Sequence, residues 1–325
     1  MLPSGIVFAA NASRLVGAGH LRRMIEIAKS FPSSIQKVFY GSVDIPWLAN
    51  LTNEYMRPLN GANLDTSNTI VVLDSYDERF CNQVSDTFHG SLLIQIADQN
   101  SYVLPSAKVL FMDKPFKYAN GINPIQVIGH DLKFFPARNY GNPDLIFSPQ
   151  ARKVLVTTGG VVHLKFIQDI VQILNHKIFN EIEFNFFGID PKLLAGFRKA
   201  NSYELGSDFD SIAATCDTAI SSAGTTIWDL LANNIVLGIY HVASNQKGNF
   251  DFAIQKKKAI SLISPTSHEF SRVCFERLLL HRETRFKLFH LNANADEGRF
   301  LGSQLTKDLI VKTYQAFKGL RNRGN

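Results

Sequence analysis

"ISSAGTTIWDLLANNIVLGIYHVASNQ", residues 220–246, holds one full structural period. An apolar run ends in the small polar residues Ser221 to Thr226, and a stretch of helical periodicity, Thr226–Ala232, follows. A second apolar run, Asn234–Tyr240, then ends in polar residues again. Neither run alternates strictly between apolar and polar, which suits strands covered on both faces of a parallel sheet. Strand, small-residue loop, helix and strand make a βαβ unit, whose connection needs a crossover helix.

Outward from this stretch the same period recurs. Apolar, β-branched runs stand at 5–10 (GIVFAA), 37–41 (KVFYG), 69–74 (TIVVLD), 91–97 (SLLIQIA) and 108–112 (KVLFM). Further runs stand at 153–160 (KVLVTTGG), 183–188 (EFNFFG), 218–224 (TAISSAG) and 234–240 (NIVLGIY). Leu21–Phe31 and Val162–His176 carry helical spacing between them. Between the two sets lies "ARNYGNPDLIFSPQAR" (137–152), which has Pro, Gly and Asn and no periodicity. The expected fold is α/β, with two Rossmann-like, doubly wound domains, 1–148 and 149–325, facing each other across a cleft. A last helix, about Gly302–Gly319, is expected to pack back on the first domain. No repeat of solenoid spacing appears.

A chain of 325 residues suits two domains, and 45% hydrophobic against 19% charged residues describe a globular protein. No apolar run approaches the roughly 20 residues of a membrane span. No secretory leader is recognisable. Cys81, Cys216 and Cys274 form no CxxC pair and no disulfide framework, so a reducing, cytoplasmic setting is expected. The net charge of +6 is uneven: residues 1–148 hold 12 Lys+Arg against 12 Asp+Glu, and 149–325 hold 22 against 16. Such a half suits an anionic ligand or peripheral contact with an acidic membrane, or is simply a solvated face. Nucleic acid is not expected, because no arginine-rich run has interleaved aromatics.

In doubly wound sheets ligands bind beyond the carboxyl ends of the strands. After the first run comes "NASRLVGAGH" (11–20), where Gly17 and Gly19 allow a tight turn into a helix. His20 at the helix start is a candidate general base, or merely a cap. Arg22 stands where a dinucleotide fingerprint needs glycine. "VLDSYDERF" (72–80) ends a strand on Asp74, with Tyr76 and Asp77 beside it. Asp74 suits a sugar hydroxyl, a metal or a catalytic proton, and either Asp74 or Asp77 suits a helix cap. Thr157 to Gly160 make a loop fit for a phosphate or ribose, or a plain turn. Ser222, Gly224, Thr225 and Thr226 open a helix with hydroxyls and free N–H groups, a setting for anions. Thr226 and Asp229 have capping-box spacing, which accounts for them without any ligand. Asn245 and Gln246 offer amides at the next strand end, suited to sugar hydroxyls.

Taken in order, these motifs resemble the GT-B family of nucleotide-sugar enzymes. Within it they most resemble the UDP-sugar hydrolases of pseudaminic acid synthesis and the related spore-coat polysaccharide glycosyltransferases. The family pattern R-x-D-x-S-x-x-I-G-x-G-H-x-x-R is matched at Ser13, Gly17, Gly19, His20 and Arg23, but Ala9 and Asn11 replace its arginine and aspartate. D-x-Y is matched by Asp74 and Tyr76, and S-x-G-G loosely by Thr158, Gly159 and Gly160. G-A-G-G-S-T-T-W-E is similar to "SSAGTTIWD", with Asp229 for glutamate, and E-N-Q to "SNQ".

The resemblance implies a nucleotide held by Gly159, Gly160, Ser222, Gly224, Thr225, Thr226 and Asp229. It implies catalysis by His20 with Asp74 and Tyr76. The sugar would be held by Asn11, Ser13, Gly17, Gly19, Arg23, Asn245 and Gln246. It implies no metal and no cofactor. The expected activity is hydrolysis of a UDP-amino-deoxysugar in pseudaminic-type or surface-glycan synthesis. The alternative is a glycosyltransferase using a UDP- or CMP-linked donor and a glycan or lipid-linked acceptor. Ala9, Asn11 and the 15 Lys+Arg against 7 Asp+Glu in residues 247–325 motivate that alternative. A non-catalytic nucleotide-binding subunit is the third reading.

Overall fold

A computed structural model describes residues 2–13, 16–59, 64–98, 101–112, 126–140, 146–159, 164–266, 269–293 and 301–321. The chain forms two compact units: Met1–Ala137 with Gly298–Asn325, and Arg138–Glu297.

The first unit has strands β1 (Gly5–Ala9), β2 (Gln36–Tyr40), β3 (Arg57–Pro58), β4 (Thr69–Asp74), β5 (Leu92–Ala97), β6 (Lys108–Phe111) and β7 (Val127–His130). Its helices are α1 (Gly19–Ser30), α2 (Pro46–Tyr55) and α3 (Glu78–Thr87). All strand pairs are parallel, in the order β3-β2-β1-β4-β5-β6-β7. After β3 the chain crosses to the other side of β1, so the carboxyl ends of β1 and β4 flank a topological switch point.

The second unit repeats the plan with β8 (Lys153–Thr157), β9 (Glu183–Phe187), β10 (Ala200–Tyr203), β11 (Thr218–Ser222), β12 (Val236–Tyr240) and β13 (Ile260–Ser261). The helices are α4 (Leu164–Leu174), α5 (Phe209–Ala214), α6 (Thr226–Ala232), α7 (Lys247–Gln255), α8 (Arg272–Leu279) and α9 (Arg282–Ala293). The order is β10-β9-β8-β11-β12-β13, and the switch point lies between β8 and β11.

Strands without alternation are buried throughout: every residue of β1, β4, β5, β11 and β12 is inaccessible. Val7, Val71, Leu73, Phe80 and Val84 centre the core of the first unit. Val156, Ile170, Phe184, Phe186 and Phe275 do so in the second. Sequence periodicity did not mark β3, β7, β10 or β13. β3 and β13 are two residues long, and β10 ("ANSY") is too polar to stand out.

The last helix, α10 (Gly302–Arg321), packs against α1 in the first unit. A Cβ on Gly302 would stand 1.8 Å from the Phe135 carbonyl oxygen, so only glycine permits this approach. Thr306 Oγ1 donates to the Phe134 carbonyl at 2.8 Å, and the Tyr314 hydroxyl donates to Asn68. In the second unit the buried Arg285 fixes the rotation of α9. Its guanidinium reaches Asp217 at 3.0 Å, Thr218 Oγ1 at 2.7 Å and the carbonyls of Ser148 and Leu278.

Gly302→Ala must push against backbone and is expected to cost about 1–3 kcal/mol. Gly319→Ala, on the exposed face of the same helix with nothing within 4 Å of the added Cβ, is expected to gain up to about 1 kcal/mol. Urea unfolding midpoints that move in opposite directions for the two variants check this.

Candidate functional site

β1 ends at Ala9, and the chain turns through Ser13 and Gly17 into α1. Gly17 N donates to the Ser13 carbonyl at 2.8 Å, and the Ser13 hydroxyl accepts from Val16 N at 3.1 Å. Gly17 has φ +87°, which disfavours any residue with a Cβ. Arg14 and Leu15 lie outside the described residues. Asn11 Oδ1 accepts from both the N–H and hydroxyl of Ser42, at 2.9 and 3.1 Å, so that oxygen staples two loops together. Ala9 is wholly buried inside β1, where an arginine would not fit.

Gly19 opens α1 after the N-cap residue Ala18, which makes no side-chain cap. His20 does not cap the helix either: it is buried and points at the end of β4. Its Nδ1 lies 2.6 Å from Asp74 Oδ1. Arg23, three residues on and so on the same helix face, donates from Nε to Asp74 Oδ2 at 2.8 Å and from Nη2 to Oδ1 at 3.0 Å. Asp74 therefore caps nothing; Asp77 caps α3, accepting from Arg79 N and Phe80 N.

Burial alone would raise the pKa of Asp74, but Arg23 and His20 outweigh it and hold it down to about 2. Arg23 is likewise disfavoured by burial and stabilised by Asp74, with the net shift upward. Asp74 is thus a carboxylate throughout the physiological range. Facing an ionised carboxylate, Nδ1 of His20 donates, which in the neutral ring leaves Nε2 as the accepting nitrogen. Arg23 Nη2 also lies 3.3 Å from Nδ1, but the 2.6 Å contact to the carboxylate decides the tautomer. An imidazole oriented by a buried carboxylate can take a proton at its other nitrogen.

Tyr76 lies edge-on to the His20 ring, with centroids 4.5 Å apart and planes at 83°. Its hydroxyl donates to Asp98, and burial together with Asp98 raises its pKa far above neutrality. Tyr76 is thus a phenol committed to Asp98, and it is the ring that touches His20. Asp98 was not anticipated. The signal was available, since Asp98 directly follows β5 as other polar residues follow their strands.

At the second switch point β8 ends at Thr157, whose hydroxyl accepts from Gly159 N at 3.0 Å. Gly160 lies outside the described residues. Ser222 closes β11 and donates to the Thr158 carbonyl at 2.8 Å, stitching the two loops together. Gly224 and Thr225 lead into α6, which begins at Thr226. The N–H groups of Gly224, Thr225 and Thr226 make no hydrogen bond among the described residues. Gln246 Oε1 accepts from Val242 N at 3.0 Å, and its Nε2 lies 3.9 Å from where a Cβ on Gly224 would stand. Asn245 sits in the turn Ser244–Gln246, and its side chain lies outside the described residues.

The capping box of Thr226 and Asp229 does not form. Thr225 occupies the N-cap position without a side-chain bond, and the Asp229 carboxylate turns to Arg138. Oδ1 accepts from Arg138 N at 2.9 Å, and Oδ2 accepts from Nε and Nη2 at 3.0 and 2.9 Å. One turn on, Asn233 accepts from Tyr140 N and donates to the Arg138 carbonyl. Both oxygens of Asp229 thus hold a chain segment, a role the sequence reading assigned to neither Asp229 nor Arg138. Cys81 and Cys216 are buried, with thiols pushed up to about 11, burial being the leading cause in each. Neither is a nucleophile at neutral pH.

No family model matches the sequence, and no curated protein matches it. Solved structures do. MurG of Acinetobacter baumannii is 14% identical over 95% of this chain and 100% of its own, with a TM-score of 0.60. The calicheamicin glycosyltransferase CalG4 is 13% identical over 97% and 99%, with a TM-score of 0.60. A UDP-glucosyltransferase from Polygonum tinctorium is 11% identical over 95% and 98%, with a TM-score of 0.61. The fold is therefore GT-B, the fold of these glycosyltransferases. The narrower resemblance to pseudaminic acid hydrolases and spore-coat proteins gains no support from these likenesses.

Because the folded pKa of Asp74 lies below its ordinary value near 4, its pairing adds stability above pH 4 that is lost as pH falls toward about 2. Asp74→Asn is expected to lower stability at pH 7 and to flatten its decline between about pH 4 and 2. Chemical denaturation at a series of pH values measures both.

Proposed function

We propose that this chain is a glycosyltransferase that moves a sugar from a nucleoside-diphosphate donor to the hydroxyl of an acceptor. The observation that carries this is His20, buried and held by Asp74 at the switch point of the first sheet, within a GT-B fold. His20 Nε2 takes the acceptor's hydroxyl proton while the acceptor oxygen bonds to the anomeric carbon. The bond from that carbon to the diphosphate breaks, and the nucleoside diphosphate leaves with the electron pair. Asp74 stabilises the imidazolium that forms, and Arg23 keeps Asp74 charged and aligned. The uncommitted N–H groups of Gly224, Thr225 and Thr226 suit the diphosphate, as donors fixed before charge develops. UDP is the proposed nucleotide, in keeping with the similar enzyme named for UDP-glucose.

Water in place of the acceptor would make the same site a hydrolase, so acceptor dependence decides between the two. Phosphorus NMR with a panel of UDP-sugars is expected to show UDP release only when an acceptor alcohol is added. Loss of a general base costs about 100- to 10,000-fold, so His20→Ala is expected to abolish detectable transfer while UDP still binds. Release of UDP at the same rate without acceptor would overturn the transferase reading in favour of hydrolysis. Turnover unchanged in His20→Ala would overturn the role of His20.

A further inference from the structure

A second concave surface lies in the second unit, between α7, β13, α8 and α9. It is a groove of about 1060 Å³. Phe250, Ile254, Ile260, Ile263 and Leu288 form an apolar lining. Phe286 and Leu291 also line it and remain 48% and 46% exposed.

Among the described residues the charge on the groove is of one sign. Lys257 follows α7, Arg277 belongs to α8 and Lys287 to α9; all three line the groove and all are exposed. None of the three has an ion pair among the described residues. Glu276, beside Arg277, pairs with Arg272 instead, at 3.2 Å. His241 and His290 add ring nitrogens to the lining, and no Asp or Glu lines it among the described residues. Lys257 also has φ +56°, a left-handed conformation after the end of α7 where glycine is the ordinary choice. A lysine there costs backbone energy that a glycine would not.

A free phosphate or nucleotide would leave the apolar lining wet, and a neutral lipid would leave the cations unmatched. An apolar chain ending in an anion satisfies both. We propose that the groove binds a single-chain lipid phosphate. Its chain lies on the apolar lining, and its head group is met by Lys257, Arg277 and Lys287. The proposal is independent of the glycosyltransferase reading, since none of these residues belongs to either switch point.

The test uses the full chain and dodecyl phosphate below its micelle-forming concentration, with binding followed by calorimetry. Inorganic phosphate and dodecyl maltoside isolate the head and the chain. Dodecyl phosphate is expected to bind at least about tenfold more tightly than either control. Lys287→Gln and Lys257→Gly are each expected to weaken it by about tenfold, while Lys257→Gly keeps or raises the thermal midpoint because the strain is relieved. Loss of binding in a protein no less stable than its parent cannot be a folding defect. Equal affinity for dodecyl maltoside, equal affinity for phosphate alone, or indifference to both substitutions would each overturn the proposal. So would binding to phosphatidic acid vesicles without binding to the monomeric amphiphile, which would make the face a bilayer contact instead.

Discussion

Asp74 carries its charge where water does not reach it, so donors from the protein must surround it. Two residues of α1, one turn apart, supply them: His20 once and Arg23 twice. That demand fixes the rotation of α1 about its axis and its height above the sheet. It also requires β4 to lie beside β1, because only then does a helix following β1 reach a carboxylate closing β4. The charge state of Asp74, the tautomer of His20 and the direction of Nε2 follow from that one geometry. Tyr76 and Asp98 add a wall that keeps the imidazole from swinging aside.

The second unit has the same strand plan but places its buried acid differently. Asp229 stands within α6 and not at a strand end, and its partner is a chain segment, Arg138 to Tyr140, which it holds with Asn233. A carboxylate wholly engaged by backbone and guanidinium is a structural fastener. Among the described residues, the polar groups left uncommitted at that switch point include the main-chain N–H groups of Gly224, Thr225 and Thr226, which donate without titrating.

The architecture was legible because the apolar runs are parallel strands, most of them buried, and the loops after those runs named His20 and Asp74. What could not be read was which distant residue would meet each. His20 and Asp74 are separated by 54 positions, Tyr76 and Asp98 by 22, and Arg138 and Asp229 by 91. Local spacing therefore offered a cap as one reading of His20 and a capping box for Asp229, and tertiary partners replaced both. Arg138 lay in a stretch that looked like linker because its periodicity is broken, yet it is among the most heavily bonded residues of the second unit. β3 and β13 escaped notice for a simpler reason, since two residues carry no period. The choice between water and an acceptor was never written in these positions, because the proposed base would serve either nucleophile.

The return of α10 gives the first unit a history. Its sheet and the helix bearing His20 and Arg23 precede the second unit in the chain, but the helix that packs on α1 follows it. Domains ordinarily fold as they appear, from the N-terminus onward. Here the first unit must wait, with one face of α1 uncovered, until the whole of the second has been translated. A chain that stopped after the second unit and before α10 would therefore lack the outer layer of the helix that carries the proposed base, about 280 positions away in sequence.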